Sequence, residues 1–389
     1  MSKPAVSNIT LEACHSLSDI PRKTWEQLAG TDNPFLRYDF FEALETSGCT
    51  SAETGWKPCH LIFRLKGEIA GVAPAYLKSH SMGEYVFDWA WADAYRRYGM
   101  EYYPKLLIAV PFTPSQGARL LLAPQLRAEL DSQVIHGLLD TLIGRLGAHS
   151  WHLLFPDAQD QQLLHQEDQL HRIGCQFHWH NRNYGCFEDF LGELTSRKRK
   201  SIRKERRQVA EQDITFTRFH GSDIPDQVLA AFYVFYQATY LKRGQRPYLT
   251  QQFFEKMREA MPEHLHVIMA VKDGAMIAGA LFLSGRDTLY GRYWGCLEEY
   301  SHLHFETCYY KGIELAIELG LQTFDAGAQG EHKLVRGFEP MLTHSWHGIA
   351  HPGFHEAIEA FTREEAEQVM GYYEDAKTVL PFRQNNGAE

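Results

Sequence analysis

The sequence predicts an α/β protein of two tandem units, each with a mixed sheet flanked by helices. Three observations point there. At 389 residues the chain exceeds a typical single domain, and each half is long enough to bury its own core. A short internal echo recurs: Ile69-Ala70-Gly71 returns as Ile277-Ala278-Gly279, each after a turn. Tyr85 to Trp89 then matches Tyr290 to Trp294, and Gln116-Gly117 matches Gln329-Gly330, in the same order and at nearly constant offset. Finally, residues 289–324 read as a strand, a helix and a second strand, the pattern of a parallel crossover.

Hydrophobic periodicity places the elements in order. In the first half, helices are expected near 17–29 and 38–47. Strands follow near 58–65, 69–77, 84–90 and 105–112, then a helix near 125–146 and a strand at 151–155. A polar stretch, 157–172, reads as a surface helix at the junction. In the second half, helices are expected near 187–211, 225–241 and 250–260, and strands near 264–271, 275–284 and 287–295. The crossover helix runs from Phe305 to Glu318, with apolar residues at Tyr309, Ile313 and Ile317, and Gly320 stops it. Strands at 321–326 and 343–350 and a helix from 353 to 378 close the chain.

The crossover carries the densest chemistry. Arg292, Trp294, His304, Glu306, Cys308, Tyr309, Tyr310, Gln329, Glu331, His332, Lys333 and Arg336 lie on its strand, its helix and the loop after its second strand. Ligands of such units bind where strand ends meet the helix N-terminus. Single ionisable residues in a Gly-containing loop often only cap turns, but so many together favour a site. His302, His304 and Glu306 lack a second cluster to complete a metal site, so no metal is expected.

A second segment, SRKRKSIRKERRQ from Ser196 to Gln208, has eight basic residues and one acid. Arg199, Arg203, Arg206 and Arg207 fall near one helical face, where guanidinium groups suit the phosphates of a nucleotide-linked precursor, a CoA or a tRNA. In the first half, Lys78, Asp88, Asp93 and Arg119 recur among aromatics that include Trp89. Such faces suit a sugar, a peptide or a base.

Composition sets the outer limits. A formal net charge of -10 argues against a general nucleic-acid coat while permitting a local basic patch. Seven cysteines with no CxxC pair fit a reducing compartment. The N-terminus has no apolar signal core, and apolar runs such as AMIAGALFL at 275–283 are too short to span a membrane. A cytoplasmic protein is the expectation.

Several long motifs now carry a resemblance. YLT at 248–250, LYGRYWGC at 289–296, HFETCYYKGIE at 304–314 and GAQGEHKLVRGFEP at 327–340 follow the basic helix. GEYVFDWAWADAY at 83–95, YYPKLLIAVPFTP at 102–114 and Arg119 precede it. Together they resemble the FemAB-like predicted N-acyltransferases, a branch of the tandem GNAT-fold proteins annotated for peptidoglycan biosynthesis or recognition. The resemblance covers nearly the whole chain. It implies two GNAT-like domains, 1–165 and 166–389, with the site in the second. It implies N-acyl or aminoacyl transfer to the amine of a small molecule or peptide, with a peptidoglycan-type or other nucleotide-linked precursor as acceptor. No cofactor is expected to be bound permanently. GCLEEYSHLH, between Trp294 and Phe305, lacks the usual GNAT pyrophosphate loop, which leaves acyl-CoA and aminoacyl-tRNA both open as donor.

Amide formation needs a base for the attacking amine and donors for the oxyanion. Glu306, His304 and His332 are the candidate bases, and Tyr309 or Tyr310 the candidate donor. Lys333 and Arg336 suit a phosphate or carboxylate, and Arg292, Trp294, Gln329 and Glu331 would complete the substrate contacts. The rival reading is a non-catalytic module that recognises such a precursor. A hydrolase using a metal or Cys308 is a third.

Overall fold

The computed structural model describes residues 8–166, 169–328 and 330–383. In chain order the first elements are β1 (Ile9–Cys14), α1 (Arg22–Ala29), α2 (Tyr38–Thr46), β2 (Trp56–Pro58), β3 (His60–Leu65), β4 (Glu68–Ala73) and β5 (Ala75–Lys78). Next come α3 (Trp89–Arg97), β6 (Lys105–Ile108), β7 (Leu121–Leu122), α4 (Pro124–Glu129), α5 (Ser132–Leu146), β8 (Ser150–Leu154) and α6 (Ala158–Leu164). They continue as β9 (Leu170–His180), α7 (Phe187–Glu193), α8 (Ser196–Ala210), β10 (Thr215–His220), α9 (Asp226–Leu241) and α10 (Gln251–Ala260). After β11 (Leu265–Lys272), β12 (Ala275–Ser284) and β13 (Thr288–Cys296) comes one interrupted helix. It consists of α11 (Leu303–Phe305), a π turn at Glu306–Tyr310 and α12 (Lys311–Glu318). The chain ends with β14 (Thr323–Asp325), β15 (Glu339–Ile349) and α13 (Pro352–Thr378). Among the described residues no helix is long and apolar enough to cross a membrane.

Two compact units interleave in sequence: Met1–Gly174 with Leu342–Met370, and Cys175–Met341 with Gly371–Glu389. A single cut after residue 165 misses the return of 342–370 to the first unit. The cause is a ladder between distant segments, Ser345 to Ile349 pairing antiparallel with Leu154 to Ser150.

The first unit contains a four-stranded sheet, β1-β3-β4-β7, and a ladder ordered β15-β8-β6-β5-β2. Its parallel strands β6 and β8 have α5 between them in sequence. That helix starts where the Asp131 side chain accepts from the Val134 amide and stops at Gly147, whose φ is 64°. Ile135, Leu139, Leu142 and Ile143 share one face and are buried, each worth roughly 1.5–3 kcal/mol.

The second unit orders its strands β10-β11-β12-β13-β14-β9. Here β13 and β14 run parallel over three residues only, Thr288–Tyr290 against Thr323–Asp325, and β13 continues to Cys296. Phe324, at the centre of this core, needs two glycines beside it: a Cβ on Gly312 would lie 2.6 Å, and one on Gly291 3.0 Å, from its ring.

The sequence echo is partly structural. Hairpins β3–β4 and β11–β12 each turn on two positive-φ residues, Lys66 and Gly67 in one, Asp273 and Gly274 in the other. Each ladder also shifts register once, at Phe63/Arg64 and at Ala270/Val271. The second match diverges, because Tyr290 to Trp294 lie in β13 whereas Tyr85 to Trp89 lead into α3. The strand expected at 84–90 is therefore a loop and a helix start. Trp91 and Tyr95, four apart, bury as one helical face, and Glu84 and Asp88 turn inward to Lys105. Helix 187–211 breaks into α7 and α8 where the Thr195 amide bonds the Pro381 carbonyl (2.8 Å). The expected surface helix at 157–172 ends at Leu164, and Leu170 already begins β9.

Candidate functional site

The candidate site belongs to the second unit, around the interrupted helix and the loop after β14. The π turn widens the helix at Glu306–Tyr310, and the Thr307 hydroxyl bonds the Leu303 carbonyl one turn back (2.8 Å). Single π turns of this kind gather at functional sites.

Helix α8 clamps this turn with two consecutive residues of opposite charge. Arg206 donates to both Glu306 oxygens through Nε (3.1 Å each), and through Nη2 to Glu306 Oε1 (2.9 Å) and Glu314 Oε1 (2.6 Å). Its guanidinium lies 4.5 Å from the Phe187 ring centroid. Glu205, one residue earlier, accepts from the Tyr310 hydroxyl and from Arg336 Nη2 (2.9 Å). Glu306, Tyr310 and Arg336 are thereby all buried partners in ion pairs or hydrogen bonds.

His332 sits differently. It is the second residue of the 3-10 turn Glu331–Arg336 and is exposed, with Nε2 2.8 Å from the Tyr309 hydroxyl. The ring is flanked by Phe305 at 5.3 Å and His304 at 6.1 Å between centroids. His304 in turn packs on Trp294 (5.4 Å) and Tyr309 (5.3 Å). Gly330 makes room: its φ is 116°, and a Cβ there would fall 2.5 Å from His332 Cε1. Partial desolvation of the ring where it packs on Phe305 and Tyr309, and then the charges of Arg336 and Lys333, hold the His332 imidazole below its ordinary range. Burial with the neighbouring His332, Lys333 and Arg336 pushes His304 down to about 4.

Lys333 is buried behind this ring. Its ammonium donates to the Gly327 carbonyl (2.6 Å), and the Gly327 amide donates to Asp325 Oδ1 (2.8 Å). Burial lowers its pKa to about 8, against the pull of Asp325. Burial also raises the Cys308 thiol well above its usual range, so this sulfur stays protonated and is a poor nucleophile.

The other expected residues are dispersed. Arg292 is half-buried, and its guanidinium lies 5.7 Å from the Tyr293 ring centroid. Glu331 is exposed and accepts from the Tyr372 hydroxyl (3.1 Å). Gln329 lies outside the described residues. On α8, Arg199 is half-buried, Arg203 pairs at the surface with Glu188 (2.5 Å), and Arg207 stands 3.8 Å from Glu211.

In the first unit, Lys78 and Asp88 join a buried network. Lys105 donates to Glu84 (2.7 Å), to Ser81 (2.9 Å) and to Asp88, which also accepts from the Tyr102 hydroxyl (2.6 Å). Lys78 lies 3.8 Å from Glu84 and 3.8 Å from the Trp56 ring centroid. His152 and His347 meet through their Nδ1 atoms at 2.7 Å. Arg119 is a separate buried anchor, donating to the carbonyls of Ser115, Gly117, Ala118 and Leu154. Trp89 is 48% exposed, and Asp93 pairs at the surface with Arg96 and Arg97. Sequence reasoning passed over Glu205, the lone acid among eight bases, whose oddity was its only signal.

Solved structures share the fold at low identity. FemX matches with 13% identity and a TM-score of 0.50, over 90% of this chain and all of that one. The C-terminal domain of a putative lysylphosphatidylglycerol synthetase from Agrobacterium fabrum matches with 9% identity and a TM-score of 0.51, over 90% of this chain and 97% of that one. A conserved protein of unknown function from Bacteroides thetaiotaomicron matches with 9% identity and a TM-score of 0.50, over 87% and 99%. No curated protein matches the sequence. The α/β fold of these structures is thus the one the chain adopts. One family, described as peptidoglycan biosynthesis/recognition, matches residues 16–384, nearly the entire length, and the chain belongs to that FemAB-like family.

Proposed function

We propose that the second unit transfers an acyl or aminoacyl group to an amine, with His332 as the base. The acceptor in this reading is a peptidoglycan-type or other nucleotide-linked precursor, in keeping with the family's description, and the donor is acyl-CoA or aminoacyl-tRNA. One observation carries it: among the candidate bases, His332 is exposed while hydrogen-bonded to a buried phenol, whereas Glu306 is consumed by Arg206.

The chemistry follows from the tautomer. When His332 Nε2 carries hydrogen and donates to the Tyr309 oxygen, Nδ1 presents a lone pair. The depressed pKa keeps that lone pair available at neutral pH. The acceptor amine gives its proton to Nδ1 and its nitrogen attacks the donor carbonyl. On collapse, the C–O bond of an ester or the C–S bond of a thioester breaks, and the imidazolium returns the proton to the leaving atom. Lys333 and Arg336 add positive field for the oxyanion.

Thermal shift with acyl-CoAs, aminoacyl-tRNAs and muropeptide precursors, followed by intact-mass analysis of each stabilising pair, tests the reading. A new amide is expected, and His332→Ala should slow its formation about 100-fold. Ligand retained unchanged by the wild-type protein would instead favour a recognition module.

A further inference from the structure

Glu205 is turned inward from an otherwise basic helix face, its side chain only 16% exposed. It holds Arg336 through Nη2 at 2.9 Å. The same guanidinium donates through Nη1 to the His332 carbonyl (2.7 Å) and through Nε to the Tyr310 hydroxyl (3.0 Å), and it lies 3.5 Å from the Phe305 ring centroid. Phe305 is also a ring neighbour of His332. A planar fork with three directed contacts has little freedom left, so the carboxylate that fixes its tilt also fixes the backbone it grips.

We propose that Glu205 is a positioning residue for His332, acting through Arg336 from the adjoining helix. The role has a geometric part, the placement of the His332 backbone, and an electrostatic part. Arg336 is the leading charge acting against protonation of His332, and Glu205 offsets it. The groups facing His332 are Lys333 and Arg336 on its own turn, with Glu331 adjacent in sequence, and His304 and Tyr309 on the interrupted helix. Among them Arg336 is the one that Glu205 touches. The inference rests on His332 being the base, and its test is separable from that assignment.

The His332 titration midpoint is read by NMR on the full chain, its resonance identified by loss in His332→Ala. Glu205→Gln should move the midpoint down, because Arg336 then acts without its counter-charge. Glu205→Asp should restore it toward wild type. Glu188→Gln removes an equal charge from the exposed pair with Arg203 and should leave it in place. With an identified substrate pair, Glu205→Gln should also lower kcat about tenfold with KM nearly constant. An unmoved midpoint in Glu205→Gln, or an equal movement in Glu188→Gln, overturns the proposal. If Glu205→Gln does not fold, Arg336→Lys takes its place, since one ammonium cannot bridge Glu205 and the His332 carbonyl as the fork does. An unchanged His332 resonance there overturns the proposal equally. Full activity in His332→Ala would remove the base assignment while leaving the effect of Glu205 on the imidazole intact.

Discussion

Replacing Arg206 by methionine leaves two carboxylates facing a lost cation at the seam between α8 and the π turn. Glu306 suffers most, since its side chain is 5% exposed and both oxygens bond Arg206. Glu314 is 31% exposed and keeps Lys311 at 2.8 Å, so its share is largely screened. Removing one member of a buried ion pair costs about 3–5 kcal/mol. Arg206 is 24% exposed and Lys311 stands 3.8 Å from Glu306, which lowers the expected cost to about 2–4 kcal/mol. Urea unfolding followed by tryptophan fluorescence reads it, with Trp179 in the affected core. Adding Glu306→Gln to Arg206→Met should recover most of the loss, a coupling of about 2 kcal/mol. A single-variant cost below about 1 kcal/mol, or strict additivity, would refute the claim that this pair is internal structure.

Three further outcomes are expected. Lys105→Met strands the buried Glu84 and Asp88 and should cost about 3–5 kcal/mol in denaturant unfolding, and a change under about 1 kcal/mol would mean the network carries no such charge balance. Burial lowers His171 to about 4, His152 to about 3, His266 to about 3 and His304 to about 4, so at these four imidazoles the unfolded chain binds more protons than the folded one between those values and about 6.5, outweighing Glu84, which burial raises to about 7 and which acts in the opposite sense. Stability should therefore rise with pH across that window and fall on acidification, already visible between about pH 6.5 and 5, and flat urea midpoints over that range would contradict it. Gly330→Ala forces a side chain into a φ of 116° and against His332, so transfer should drop nearly as far as in His332→Ala at a stability cost of about 1–3 kcal/mol, and wild-type turnover would show that the ring is free to move.

The parts of the fold that could be read from sequence are those whose side chains answer to their own neighbours. The strand expected at 275–284 is β12 over the same residues, and α9 begins within one residue of its expected start. Apolar alternation and helical spacing run unbroken there. Strand β10 is exposed except at Phe216 and Phe219, three residues apart and only half-buried, so its strand signal is weak. The place of 342–370 in the first unit depends on pairing with β8, about 190 residues away, and no local pattern reports that. The site divides along the same line. Spacing grouped His304, Glu306, Tyr310, His332, Lys333 and Arg336 on one crossover; the structure sets His304 beside the His332 ring and Tyr310 and the His332 carbonyl on Arg336, while Glu306 faces Arg206. Their partners are another matter, because Glu205 and Arg206 reach the group from a helix about 100 residues earlier.

Charge counting along α8 misreads the helix for a physical reason. Counting weighs every cation alike, whereas burial sorts them. Arg206 is spent on Glu306 and Glu314, and cannot hold a phosphate without abandoning a buried carboxylate. Arg203 and Arg207 keep their exposure and lose little by trading Glu188 or Glu211 for a ligand oxygen. The cations of this helix left to solvent are on its outer side, where Arg197, Lys200 and Lys204 are also exposed. Its inner side is a scaffold, with Glu205 set toward Arg336 and Arg206 toward the π turn. A polyanionic donor that engages the outer side would grip the same rigid helix that fixes Arg336, so donor binding and the orientation of His332 would share one support.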